Sequence, residues 1–64
     1  MSISLHYVPE TDAAYLRFSA GAVIESAEVS PGLVLDYDAQ GKIVAMEVLQ
    51  AATRLPPDAL LAAE

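Results

Sequence analysis

The sequence has no cysteine and no tryptophan, one histidine (His6), and three basic residues against nine acidic ones in 64 positions. Each shortage excludes something. Without cysteine there is no disulfide, and one histidine cannot build the usual Cys/His metal clusters, so no metal or cofactor site is expected. A net charge of -6 repels a phosphate backbone and argues against nucleic acid as a partner. The same charge favours fast encounter with a basic protein. Unbroken apolar runs, such as Leu33-Val34-Leu35 and Ile43-Val44-Ala45-Met46, fall far short of the roughly 18 residues that cross a bilayer. No positive region followed by an apolar run opens the chain, so the expectation is a cytoplasmic location without membrane contact.

What the sequence does have is apolar side chain. Hydrophobic residues make up 55% of it, and a single domain of this length buries only about 60% of the surface its unfolded chain exposes. The surplus predicts a subunit interface, hence a homodimer.

Patterning predicts a mainly β (α+β) fold: an antiparallel β-meander of about five short strands with a short C-terminal helix, packed as a homodimer. Residues 1–55 would form a single β-sheet domain and residues 56–64 a short C-terminal helix or tail. Ile3, Leu5 and Tyr7 alternate with Ser4 and His6, a period of two with the apolar set inward. Pro9 to Asp12 supplies a reversal, after which Leu16 and Phe18 share one face and Tyr15 and Arg17 the other. Ala22 to Ser30 has no decisive inward face, and Glu25 and Glu28 suit an edge because charge discourages further pairing. Pro57 can open a helix running to Ala63, and Gln50 to Leu55 can make a helical turn.

Between Leu33–Tyr37 and Ile43–Leu49, Asp38-Ala39-Gln40-Gly41-Lys42 reads as a three-residue hairpin loop in which Gly41 takes a positive φ. Pairing Asp38 with Lys42 would set Tyr37 opposite Ile43, Asp36 opposite Val44, Leu35 opposite Ala45 and Val34 opposite Met46. Both faces would then be apolar, one covered by the C-terminal segment and the other by a second copy.

The same stretch imitates a calcium loop. Asp36, Asp38, Gln40, Gly41, Ile43 and Glu47 occupy the first, third, fifth, sixth, eighth and twelfth places of a twelve-residue window, close to the EF-hand pattern of oxygen ligands around a turn glycine. An EF-hand needs an entering helix, and Pro31-Gly32 followed by Leu33-Val34-Leu35 predicts a strand there instead. The hairpin reading is therefore preferred, with calcium or a small ligand at Asp36 to Glu47 as the alternative. No catalytic residue is assigned. His6 could be combined with Asp12, Asp36 or Glu47 into an acid–base pair, but an outward-facing strand histidine is ordinarily solvated, and an enzyme of this size would need a site between subunits. Ser2, Ser4, Ser19, Ser26 and Ser30 lack a nucleophile-elbow setting; Tyr7, Tyr15 and Tyr37 suit cross-strand packing, and Arg54 a helix C-terminal charge.

Taken together, Tyr7, Asp12-Ala13-Ala14-Tyr15-Leu16, Pro31-Gly32-Leu33-Val34-Leu35-Asp36-Tyr37-Asp38 with Gly41, and Met46-Glu47-Val48-Leu49 resemble the small bacterial family catalogued as domain of unknown function 2283, over about residues 5 to 55. Val8, Ala45 and Ala52 stand where that family often has Asp, Gly and Ser. The resemblance implies no activity. It does imply an antitoxin or inhibitor role by association, because some members look like partners of small basic toxin-like proteins. The function expected is accordingly that of a small non-catalytic protein–protein interaction module, an antitoxin-like partner of a basic protein.

Overall fold

The computed structural model describes residues 3–63. Five strands form one antiparallel sheet: β1 (Ser4–Val8), β2 (Ala13–Arg17), β3 (Glu25–Ser30), β4 (Leu33–Tyr37) and β5 (Ile43–Leu49). Two short helices follow, α1 (Ala51–Arg54) and α2 (Pro57–Ala62), the latter with Pro57 in its first turn, where a missing N–H costs nothing.

The mainly antiparallel β class and its helical tail are as predicted, but the meander holds only through β3, β4 and β5. The spatial order is β1-β2-β5-β4-β3. The β5 strand lies beside β2, so the β1–β2 hairpin closes on the far side of the meander and β3 is left at the edge. The segment from Phe18 to Ile24 carries the chain across. Both the Phe18 and Ser19 amides donate to the Val44 carbonyl at its start, 2.9 and 3.3 Å away, and the Ile24 amide donates to Tyr37 at its end, 2.8 Å away.

The predicted hairpin register is right at the loop and wrong beyond it. Asp38 and Lys42 are joined by a 2.9 Å hydrogen bond, Gly41 has φ 77°, and Tyr37 opposes Ile43. The next pair, however, is Asp36 with Ala45, followed by Leu35 with Met46, Val34 with Glu47 and Leu33 with Val48. Val44 is the extra residue of a bulge, which shifts every later pair by one and so exchanges the faces. The bulge has a non-local partner: the Val44 carbonyl accepts from the Phe18 and Ser19 amides, just past the end of β2.

Because directly opposed residues share a face, the corrected register gives the sheet one apolar side. Leu5, Leu16, Met46 and Leu35 form one row across it, and Tyr7, Ala14, Val48 and Leu33 the next. Buried Ala14, Val48 and Ala51 centre this core, with Leu5, Tyr7, Leu33, Met46, Leu55 and Leu60 packed around them. The helices thus cover their own sheet, and the smallest dimension of the molecule, 17 Å, is that of one sheet under one helical layer. The other side carries His6, Tyr15, Glu47, Val34 and Glu28 in one row and Ser4, Arg17, Ala45, Asp36 and Ser26 in the next. It is a mixed polar face, so the inference of a second apolar face in need of a partner does not survive.

Candidate functional site

Asp36, the first residue of the calcium-like window, is 3% exposed and is the one buried charged side chain among the described residues. A carboxylate in that position needs hydrogen bonds to both oxygens. Ser26 Oγ donates to Oδ1 at 2.6 Å and Tyr15 Oη to Oδ2 at 3.3 Å. Arg17 extends the chain of contacts, its Nη1 donating to Tyr15 Oη at 3.1 Å. The rest of the Arg17 guanidinium holds the crossing segment, donating to the Ser19 carbonyl at 2.6 Å and to the Gly21 carbonyl. This network lies across β2, β5, β4 and β3 over Ala45, whose small side chain is completely covered. Its chemistry is that of a brace, with every polar atom of Asp36 engaged within the chain.

Asp38 is engaged through one oxygen: its Oδ1 accepts from the amides of Gln40 and Lys42, each at 2.9 Å, closing the turn on itself. Glu47 sits on the polar face beside Tyr15 and Val34. The window is therefore strand, turn and strand, as the hairpin reading predicts.

Asp12 holds a second cluster. It has φ 52°, in the left-handed region that Asp tolerates better than most residues. Its backbone carbonyl accepts from the Ala51 amide at 2.9 Å, while Oδ1 accepts from the Ala52 amide at 3.0 Å and from Tyr7 Oη at 2.7 Å. Gln50, the residue at the N-cap position of α1, contributes no side-chain cap of its own. Asp12 thus caps a helix forty positions away in the chain. The Tyr7 phenol is pushed above its ordinary range, chiefly by donating to the Asp12 carboxylate, then by desolvation and by the nearby Asp12 charge.

Arg54 closes the third contact. Its Nη2 donates to the Pro31 carbonyl at 2.6 Å, lying over Gly32, where φ is 80° and an added Cβ would meet that nitrogen at 3.3 Å.

The structure does not bring together the acid–base candidates. His6 and Glu47 share a cross-strand row, but Tyr15 stands between them, so two strand spacings of about 4.8 Å separate their backbones. Asp12 and Asp36 belong to the separate clusters above. Arg17 and Ser26 are the residues that sequence reasoning passed over. The alternation of Tyr15 with Arg17 was their available signal, but only the strand order reveals Ser26 as a neighbour. Among the described residues there is no cavity, no group of three or more His, Asp or Glu placed to hold an ion, and no helix long and apolar enough to cross a membrane.

The charges that remain free are mostly of one sign. Arg17 and Arg54 are engaged by backbone carbonyls and Glu28 by the Gly32 amide, 3.2 Å away, whereas Glu10, Glu25, Asp58 and Lys42 are exposed. These features define a small antiparallel sheet covered by its own helices on one side, braced by polar contacts on the other, with acidic groups along one open edge. The family model described as "Protein of unknown function (DUF2283)" matches residues 5–51, and the chain belongs to that family. The match runs from β1 to the first residue of α1, taking in all five strands. No curated protein and no solved structure matches the chain.

Proposed function

We propose that this chain is a non-catalytic protein–protein interaction module whose partner is a basic protein, in the manner of an antitoxin or inhibitor, acting in the cytoplasm. The observation that carries the reading is the division of charge. Nine acids stand against three bases, and two of those bases are tied to the chain's own carbonyls and so less able to turn toward a partner. Glu10, Glu25, Glu28 and Asp58 are exposed, so the accessible charge is predominantly acidic. Complementary fields of this kind select partners and accelerate encounter, and they are screened by salt.

The test is affinity capture from the native host at low salt, comparing the wild type with a Glu10→Lys/Asp58→Lys variant. A basic protein should be retained by the wild type, released by about 0.5 M NaCl and held less well by the variant. Retention of no basic protein, or retention indifferent to salt, rejects the reading.

Self-association is the second reading. It rests on Ile24 and Ile43, 66% and 47% exposed, which lie near one another because Ile24 bonds to Tyr37 and Tyr37 opposes Ile43. Sedimentation that shows only monomer at micromolar concentration removes it.

A further inference from the structure

The strand β3 differs from the other four. All six of its residues, Glu25 to Ser30, are exposed, and one of its edges faces no strand among the described residues. Such an edge presents a row of backbone donors and acceptors ready to pair with another chain. The opposite edge of the sheet, β1, carries no acidic residue between Ser4 and Val8 and runs into Pro9. Of the two edge strands only β3 therefore carries acidic residues, Glu25 and Glu28, which stand three positions apart and on opposite faces, the latter also accepting from the Gly32 amide at 3.2 Å.

On the basis of the reading above, we propose that β3 is the docking strand: an extended segment of the basic partner adds to it as a sixth strand, with two cationic residues three positions apart, one opposite Glu25 and one opposite Glu28. An antiparallel segment in that register brings each cation to its carboxylate at a cross-strand separation of about 5 Å between Cβ atoms, one pair on each face. A bulge at Val29, where the pairing with β4 slips between Glu28 and Ser30, ends the regular edge just past Glu28. The two glutamates thus bracket the usable ladder.

The same charges discriminate against a second copy of this chain. In an antiparallel pair related by a two-fold axis, each residue must oppose one on its own face, so the axis passes through a residue, and Ser26 and Ala27 are the central ones between the two glutamates. Pairing about Ser26 puts the two Glu25 carboxylates on the diagonal of the joint sheet, and pairing about Ala27 does so for the two Glu28 carboxylates. In each case the residues are about 7–8 Å apart, on chains that each carry -6. A basic segment meets complementary charge in the place where a second copy meets its own.

The test uses the whole protein, labelled for amide NMR, and an acetylated, amidated octapeptide Thr-Val-Arg-Thr-Val-Arg-Val-Thr at up to about 1 mM, a concentration that reveals weak binding. Amides of Glu25 to Glu28 should shift and gain exchange protection. An octapeptide with Glu in place of both Arg should bind at least about tenfold more weakly, and a Glu25→Lys/Glu28→Lys variant of the protein should reverse the preference. The Arg octapeptide N-methylated at alternate residues keeps its charge but cannot complete the ladder, so it too should lose binding. Unshifted β3 amides, equal binding of the N-methylated peptide, or β3 protection that grows with protein concentration alone would each overturn the proposal, the last by making the occupant a second copy. If β3 fails while the native host still yields a salt-sensitive basic partner lost on Glu10→Lys/Asp58→Lys, the docking strand is wrong and the functional reading stands.

Discussion

Asp12 is where single-residue chemistry has the widest reach. It was legible as a turn residue after Pro9, but its role as the cap of α1 and acceptor for Tyr7 was not, because nothing local links positions 12 and 52. Replacing Asp12 with Ala should cost about 1–2 kcal/mol, the usual loss of a helix cap, and lower the melting temperature by several degrees. Thermal unfolding followed by circular dichroism checks this. Tyr7 adds a pH dependence. Its folded-state pKa is raised above the ordinary value of about 10, so its contribution is complete below that value and disappears as pH climbs through the folded one. The stability advantage of wild type over Tyr7→Phe should therefore be constant from neutral pH to about 9.5 and shrink above it; an advantage that grew with alkalinity would contradict the clasp. At Asp36, loss of the acceptor leaves Tyr15 and Ser26 without their partner, and Asp36→Ala should cost about 1–3 kcal/mol. Since Ser26 and Tyr15 occupy both oxygens of buried Asp36, two amides hold Asp38 Oδ1, and the window is strand, turn and strand, millimolar calcium should produce no shift in melting temperature. A stabilisation that grew with calcium would revive the loop reading.

At the scale of elements, the strands, the hairpin loop, the edge character of β3 and both C-terminal helices could be read from period, turn residues and Pro57. What escaped was the order of the strands and the Val44 bulge. Alternation reports which residues share a face only while the ladder is regular, and the irregularity here is partnered by the amides of Phe18 and Ser19, some 26 positions earlier. A single inserted residue changed a hairpin with two apolar faces into one with a core side and a braced polar side, and with that the argument for a face-to-face dimer fell. The turn between β3 and β4 offers a direct check. Gly32→Ala places a Cβ at φ 80° against the Arg54 guanidinium, so it should destabilise by about 1–2 kcal/mol. Truncating Arg54 to Ala as well should relieve the steric part of that cost, which a double-mutant cycle in denaturant would reveal.

For the whole molecule, acidity and small size could be read from composition alone, yet which charges stay free depended on the fold. Arg54, expected as a helix C-terminal charge, also fastens α1 to Pro31, and Arg17, expected only to share a face with Tyr15, holds the segment that leaves β2. The partner's side of the candidate site was legible only as a sign of charge. The proposal of β3 as its docking strand rests on the strand order, which leaves β3 with one unpaired edge because β5 lies between β2 and β4.

The cap that Asp12 places on α1 has a kinetic side as well. A helix of four residues has no stability of its own, so α1 can persist only while the turn between β1 and β2 is closed and docked beside it. The amide of Ala52 should then exchange with solvent no faster than that turn opens, and its protection should match that of the β1–β2 ladder and fall with it in Asp12→Ala. The helix that follows the sheet would thus report on the integrity of its first hairpin, and proteolysis at α1 would register damage at the turn between β1 and β2.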